Sequence, residues 1–140
     1  MEELIIFVHK VKTALEDEAI KKGFIGFHDF PLGACMDAST LLGILLYRNG
    51  FGVYQLISAT NEKGKCFSHS WLENEKYLID ITANQFNNWP DQPLVINLDH
   101  KPKHYQLLKI QLRHSVLQDK NVQGLEFYMA MDMVINAVQA

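Results

Sequence analysis

The spacing of apolar and polar positions predicts an amphipathic helix over residues 3 to 22. Charged residues separate five apolar positions that recur at helical intervals, namely Leu4, Val8, Val11, Leu15 and Ala19. Gly23 directly follows two lysines, and a glycine in this position is a typical C-terminal stop for a helix. The chain is therefore expected to begin with one packing helix.

A second helix is predicted from Cys35 to about Arg48, and its apolar residues occur on every side. This pattern is typical of a helix that is buried all round, so the helix should lie centrally in the fold. Asn49 and Gly50 mark its end, because the glycine can adopt the left-handed conformation of a helix cap.

The hydrophobic period changes to about two after Gly50, which predicts strands. Three strands should form an antiparallel meander, over residues 51–59, 66–73 and 77–82. Beyond them, the weaker pattern predicts a loop at residues 83–93, short strands at 95–98 and 104–112, and a helix at 119–138. The sequence thus predicts a single α+β domain over residues 1–140. In it, a buried helix bearing a cysteine packs on an antiparallel sheet, with helices at both ends of the chain.

Composition narrows the classes of partner. The chain has 140 residues, of which 48% are hydrophobic and 21% charged, and a net charge of −3. These values are ordinary for a globular protein, and the net negative charge argues against a nucleic-acid or anionic-membrane partner. The apolar runs are shorter than the roughly 18 residues that span a bilayer. The acidic start does not resemble a signal peptide, and two cysteines form no disulfide framework. A cytoplasmic location is therefore expected, and the sequence leaves non-classical delivery elsewhere open.

Cys35 stands where a loop containing Pro31 and Gly33 leads into the apolar helix. A cysteine in the first turn of a helix lies near the positive end of the helix dipole and near unpaired backbone N–H groups. Both effects favour the thiolate, which is the nucleophilic form of cysteine. The same position makes the backbone N–H of Cys35 a candidate donor to an oxyanion.

The predicted hairpin brings a histidine and an aspartate together. A turn centred between Asn74 and Glu75 makes His69 the direct partner of Asp80. Directly opposed residues project from the same face of a sheet, so the carboxylate should lie beside the imidazole. We therefore predict a catalytic set in which Cys35 attacks, His69 transfers the proton, and Asp80 orients the imidazole.

A zinc site is the main alternative use of these residues. Cys35, Cys66, His28 and His69 could be offered as four ligands. Cys66 and His69 are three residues apart, and on a strand such residues point to opposite faces unless a bulge intervenes. The Cys-x-x-Cys pairs of common structural zinc sites are also missing. The sequence therefore predicts no metal and no other cofactor.

Four motifs follow one another between residues 30 and 85: Gly33-x-Cys35 with Leu41-Leu42 and Leu45-Leu46 behind it, Asn49-Gly50, His69-x-Trp71-x-Glu73, and Ile79-Asp80-Ile81-Thr82. This series resembles the transglutaminase-like branch of the papain-like cysteine enzymes. The resemblance implies a papain-like core, with Cys35 as the nucleophile, His69 as the base and Asp80 as the orienting acid.

The chain departs from these families beside the cysteine. Papain-type peptidases carry an oxyanion-hole glutamine six residues before the cysteine, where this chain has Asp29. Candidate substrate-binding or oxyanion residues are therefore His28 and Asp29 in the loop that approaches Cys35, Trp71 on the histidine strand, and Gln85 soon after the aspartate. A second oxyanion donor is not evident from the sequence.

These features predict a cysteine-dependent acyl-transfer enzyme that acts on amide bonds of a peptide or protein through a Cys35 thioester. The resemblance covers peptidases and amidases as well as transglutaminases and deamidases, so the acyl acceptor stays open between water and an amine. The alternative is a catalytically inactive protein-binding module of the same fold, an interpretation that the missing second oxyanion donor favours. The sequence leaves the oligomeric state open.

Overall fold

The computed structural model describes residues 1–31, 34–61, 68–83, 92–118 and 124–139. Five α-helices occur in these ranges: α1 (Glu2–Leu15), α2 (Glu18–Gly23), α3 (Cys35–Arg48), α4 (His104–Leu107) and α5 (Leu125–Gln139). Five strands accompany them: β1 (Gln55–Asn61), β2 (Ser68–Glu73), β3 (Tyr77–Ile79), β4 (Val95–Asn97) and β5 (Leu108–Ser115). The predicted α+β class, with helices near both ends of the chain, is confirmed.

The strands form one antiparallel sheet in the order β4-β3-β2-β1-β5. The predicted meander of three strands is confirmed as β1, β2 and β3. The sheet then grows at both edges, because β4 adds to β3 and the later strand β5 returns to pair with β1. This return carries the segment that precedes β5, which includes α4, to the side of the sheet where the candidate site lies.

The core has two parts, one on each face of the sheet. On one face, Leu56, Leu72 and Ile79 join the apolar side chains of the helices, including buried residues of α3. On the other face, a smaller cluster contains Ile57, Ala59, Trp71, Leu78 and Leu108. Among the described residues, no helix is both long enough and apolar enough to cross a bilayer.

The N-terminal segment differs from its prediction as one helix. The structure has two helices, because the side chain of Asp17 accepts hydrogen bonds from the backbone N–H groups of Ala19 and Ile20. This capping interaction starts a new helix inside the apolar pattern. A similar correction applies later in the chain, where a short helix, α4, occupies the start of the predicted strand 104–112.

The hairpin register differs from the prediction by two residues. Leu72 pairs with Ile79 and Glu73 pairs with Leu78, so His69 and Asp80 are not direct cross-strand partners. The turn lies one residue further along, because Asn74 Oδ1 accepts hydrogen bonds from the backbone N–H groups of Lys76 and Tyr77. A shift of two residues leaves every side chain on its predicted face, since strand side chains alternate with a period of two.

Candidate active site

Cys35 is the first residue of α3, as predicted. The Ser39 hydroxyl, one turn further along this helix, donates to the backbone carbonyl of Ser70 in β2 at 3.4 Å. The Cys35 thiol itself is hydrogen-bonded to the side chain of His69 and to the backbone of Ser70. The start of the helix is therefore held against the histidine strand, and the thiol is brought to the imidazole.

His69 is fully buried and contacts both of its predicted partners. Its Nε2 atom lies 2.5 Å from Oδ2 of Asp80, and its side chain is also hydrogen-bonded to Cys35. Burial alone would lower the pKa of this imidazole, but the Asp80 charge and the two hydrogen bonds raise it to about 9. The imidazolium form of His69 is thus favoured at neutral pH.

The Cys35 thiol responds to the same interactions in the opposite direction. Burial raises its pKa, but the hydrogen bond and charge of His69 lower it by more, so the net pKa lies below the ordinary value of a thiol. A lowered cysteine pKa beside a raised histidine pKa describes a thiolate–imidazolium pair. This pair is the activated state of a cysteine nucleophile.

Asp80 lies just beyond the end of β3 and is 2% exposed. Its Oδ1 atom accepts from the backbone N–H and the hydroxyl of Thr82, at 3.0 and 3.3 Å. Its Oδ2 atom contacts two imidazoles, those of His69 and His104. Burial raises the pKa of this carboxyl, but the two histidines lower it by more, so Asp80 is a carboxylate throughout the neutral range.

His104 is the site residue that the sequence analysis missed. It is the first residue of α4, it is 1% exposed, and its Nε2 atom lies 2.6 Å from Oδ2 of Asp80. Its local sequence carries no signal for this role, because the segment predicted only a weak strand. The contact depends on the return of β5 to the sheet, which brings α4 to Asp80.

A metal ion could be held by His69, Asp80 and His104, whose ligand atoms all lie within 4.8 Å of one another. The short separations argue against this use, since Asp80 Oδ2 is 2.5 and 2.6 Å from the two imidazole nitrogens. Ligand atoms of a tetrahedral zinc ion are more than about 3 Å apart. The observed distances fit hydrogen bonds between the imidazoles and the carboxylate, and a metal would force the three groups apart.

A second buried carboxylate, Glu73, follows the site along β2 and is 4% exposed. Its Oε2 atom accepts from the indole N–H of Trp71 at 2.7 Å and from the hydroxyl of Tyr105. Its Oε1 atom accepts from Arg113 at 3.1 Å. Trp71 is fully buried and its indole N–H is used by Glu73, so its described role is packing, and a substrate contact stays a prediction.

The other residues predicted for the site take no part in the hydrogen bonds described above. His28 and Asp29 are exposed in the turn that follows residues 25–27, where the His28 ring contacts the backbone carbonyl of Lys22 at 3.2 Å. Gln85 lies outside the described residues, as do Gly33 of the cysteine motif and Cys66 of the zinc alternative. Roles for these residues stay predictions.

No protein-family model matches this chain, and neither curated proteins nor solved structures give a significant match. The resemblance to transglutaminase-like enzymes therefore stays a hypothesis that rests on the motifs. The geometry of the site is independent of it.

Proposed function

We propose that this chain is a cysteine-dependent acyl-transfer enzyme that acts on amide bonds, with Cys35 as its nucleophile. One observation carries the proposal: the His69 imidazole bonds both to the Cys35 thiol and to the Asp80 carboxylate. A nucleophile, a base and a group that orients the base are the minimum set for this chemistry. The order of the motifs supports a papain-like core of the transglutaminase-like type.

The reaction begins with the thiolate–imidazolium pair. The Cys35 sulfur attacks the amide carbonyl carbon, and the carbonyl oxygen becomes an oxyanion beside the start of α3. The backbone N–H of Cys35 is suited to donate to that oxygen, because it lies at the positive end of the helix dipole. The C–N bond then breaks, and His69 gives its proton to the leaving amine, which leaves a thioester on Cys35.

The thioester is released by a second nucleophile. His69, now neutral, accepts a proton from water or from an amine as that molecule attacks the thioester carbonyl. Asp80 keeps the imidazole in the tautomer that faces Cys35 and stabilises each imidazolium form. A water acceptor gives a peptidase, an amidase or a deamidase, whereas an amine acceptor gives a cross-linking enzyme. We propose a peptide or protein as the acyl donor.

The first half-reaction can be tested without the natural substrate. The protein is incubated with p-nitrophenyl acetate, and acetylation of Cys35 is followed by peptide mass spectrometry, with Cys66 as an internal control. Wild type should acetylate faster at Cys35 than at Cys66, and hydroxylamine should remove the acetyl group as a hydroxamate. Cys35→Ala is the negative control, because it has no thiol at this position to acetylate. The proposal is wrong if His69→Gln, correctly folded, acetylates Cys35 as fast as wild type.

A further inference from the structure

Asp80 is bonded by two imidazoles through a single oxygen, whereas orienting His69 needs only one carboxylate–imidazole contact. We propose that His104 is a positioning residue, whose Nε2–H donates to Asp80 Oδ2 and keeps this carboxylate ionised and aimed at His69. The inference rests on the proposed function and deepens it, since it assigns a fourth residue to the same site.

The direction of the hydrogen bond follows from the chemistry of the acceptor. An ionised carboxylate has no proton to donate, so the Nε2 atom of His104 must carry the proton at 2.6 Å from Oδ2. The Oδ1 atom already accepts two hydrogen bonds from Thr82. With His69 and His104 on the other oxygen, four donors surround the buried carboxylate, and each of them favours its charged form.

Packing holds the His104 ring in place. The ring meets the indole of Trp71 edge-on, with centroids 4.8 Å apart, and lies nearly parallel to the His69 ring at 6.0 Å. The next residue, Tyr105, donates to Glu73, so consecutive residues of α4 are bonded to the two buried carboxylates. These contacts and the bond of the neighbouring Tyr105 together hold the buried His104 ring beside Asp80.

Loss of the His104 donor should make the charged forms of Asp80, His69 and Cys35 less stable. Among the described residues, the titratable groups that meet here are Cys35 from α3, His69 from β2, Asp80 from the end of β3, and His104 from α4. A buried carboxylate with fewer donors is harder to keep ionised. A proton then moves more readily from His69 to Asp80, and a neutral His69 no longer stabilises the Cys35 thiolate. The apparent pKa of Cys35 should therefore rise.

The experiment compares two nearly isosteric substitutions that differ in the donor. His104→Gln keeps an N–H group that can reach Asp80, and His104→Met keeps the length of the side chain without a donor. The rate of iodoacetamide alkylation at Cys35 is measured against pH by peptide mass spectrometry. Tyr105→Phe is the matched control, because it removes the neighbouring bond of α4 to Glu73 and leaves the donor to Asp80.

We expect the alkylation midpoint of His104→Met to lie about one pH unit above that of wild type, the size of one charged hydrogen bond. His104→Gln and Tyr105→Phe should both keep the wild-type midpoint. A wild-type midpoint in folded His104→Met contradicts the inference alone, as does an equal shift in Tyr105→Phe. A wild-type protein whose Cys35 titrates like an ordinary thiol, near about 8.5, contradicts the proposed function as well.

A second measurement covers the case in which His104→Met does not fold. The proton NMR spectrum of wild type should contain a slowly exchanging imidazole N–H signal that disappears in His104→Gln. This signal belongs to the Nε2 proton held by Asp80. If no such proton is found at neutral pH, His104 is not a donor to Asp80 and the inference is wrong.

Discussion

Asp80, just beyond the end of β3, and Glu73, at the end of β2, are two buried carboxylates whose partners differ in kind. Asp80 accepts from two imidazoles and from Thr82. Glu73 accepts from the indole of Trp71, the phenol of Tyr105 and the guanidinium of Arg113. Each carboxylate is satisfied by hydrogen bonds, and each is bonded to one residue of α4. Burial and hydrogen bonding alone therefore do not distinguish them.

The difference lies in which partners can exchange a proton near neutral pH. Burial and the bond to Glu73 raise the pKa of Tyr105 to about 12, and its bond to Tyr105 raises the pKa of Arg113. All the donors to Glu73 thus keep their protons at neutral pH. The donors to Asp80 include His69, whose imidazole also reaches Cys35. Asp80 is suited to assist proton transfer, and Glu73 is suited to hold the structure.

The largest effect should come from removing the charge of Asp80. Asp80→Asn leaves a side chain of the same shape but takes away the charge that holds His69 as an imidazolium. We expect the rate of Cys35 acetylation by p-nitrophenyl acetate to fall by about 10³-fold or more. Glu73→Gln is the matched control, with an expected rate close to wild type. Equal losses in the two variants would remove the distinction between the carboxylates.

Glu73→Gln should instead act on stability. Three donors converge on this carboxylate, and an amide replaces one acceptor oxygen with an NH₂ group that faces a donor. We expect the free energy of unfolding to fall by about 2 kcal/mol. Urea denaturation measures the loss, and the pH midpoint of Cys35 alkylation should stay at the wild-type value. A shifted midpoint with unchanged stability would reverse the assignment.

The pH dependence of stability should separate the two sites further. The pKa of His69 is raised from 6.5 to about 9 in the folded protein, so its contribution is complete below 6.5 and is lost as pH rises toward 9. The pKa of Asp80 is lowered, so its contribution is present above the ordinary value of 3.8 and is lost at more acidic pH. Urea denaturation at a series of pH values should show that the free energy of unfolding of wild type falls between pH 6.5 and about 9, and that His69→Gln lacks this fall. The same loss in both proteins would contradict this assignment.

The smallest effect is expected at the rim of the Glu73 cluster. Arg113 has a side chain that is 42% exposed, and solvent screens its ion pair with Glu73. Arg113→Gln should therefore change the free energy of unfolding by less than about 1 kcal/mol. The Cys35 alkylation profile should be unaffected. A loss as large as that of Glu73→Gln would show that the guanidinium, not Trp71 or Tyr105, holds this carboxylate.

Local patterns in the sequence predicted the elements that carry Cys35, His69 and Asp80. The apolar pattern begins at Cys35, and the helix of the structure begins at the same residue. The alternating pattern that follows predicted the meander, which the pairing of β1 with β2 and of β2 with β3 confirms. The turn was displaced by one residue, because Asn74 caps it rather than forming its centre. Even so, the faces were predicted correctly, since alternation survives a shift of two residues.

His104 could not be predicted in the same way. Its contact with Asp80 joins residues 24 positions apart and follows from the sheet order, in which β5 pairs with β1 at the far edge from β4. Hydrophobic periodicity reports which face of an element is buried, and it does not report which strands become neighbours. The break at Asp17 was missed for a different reason, because a single capping residue lies within a continuous apolar pattern.

The central claim is that His69 activates Cys35, and one measurement tests it most directly. The rate of iodoacetamide alkylation at Cys35 is followed against pH in wild type and in His69→Gln, with Cys66 in the same digest as a reference. An ordinary thiol titrates near about 8.5. We predict a wild-type midpoint well below this value and a return toward it in His69→Gln. A wild-type Cys35 that titrates like an ordinary thiol, unchanged by the substitution, would contradict the claim.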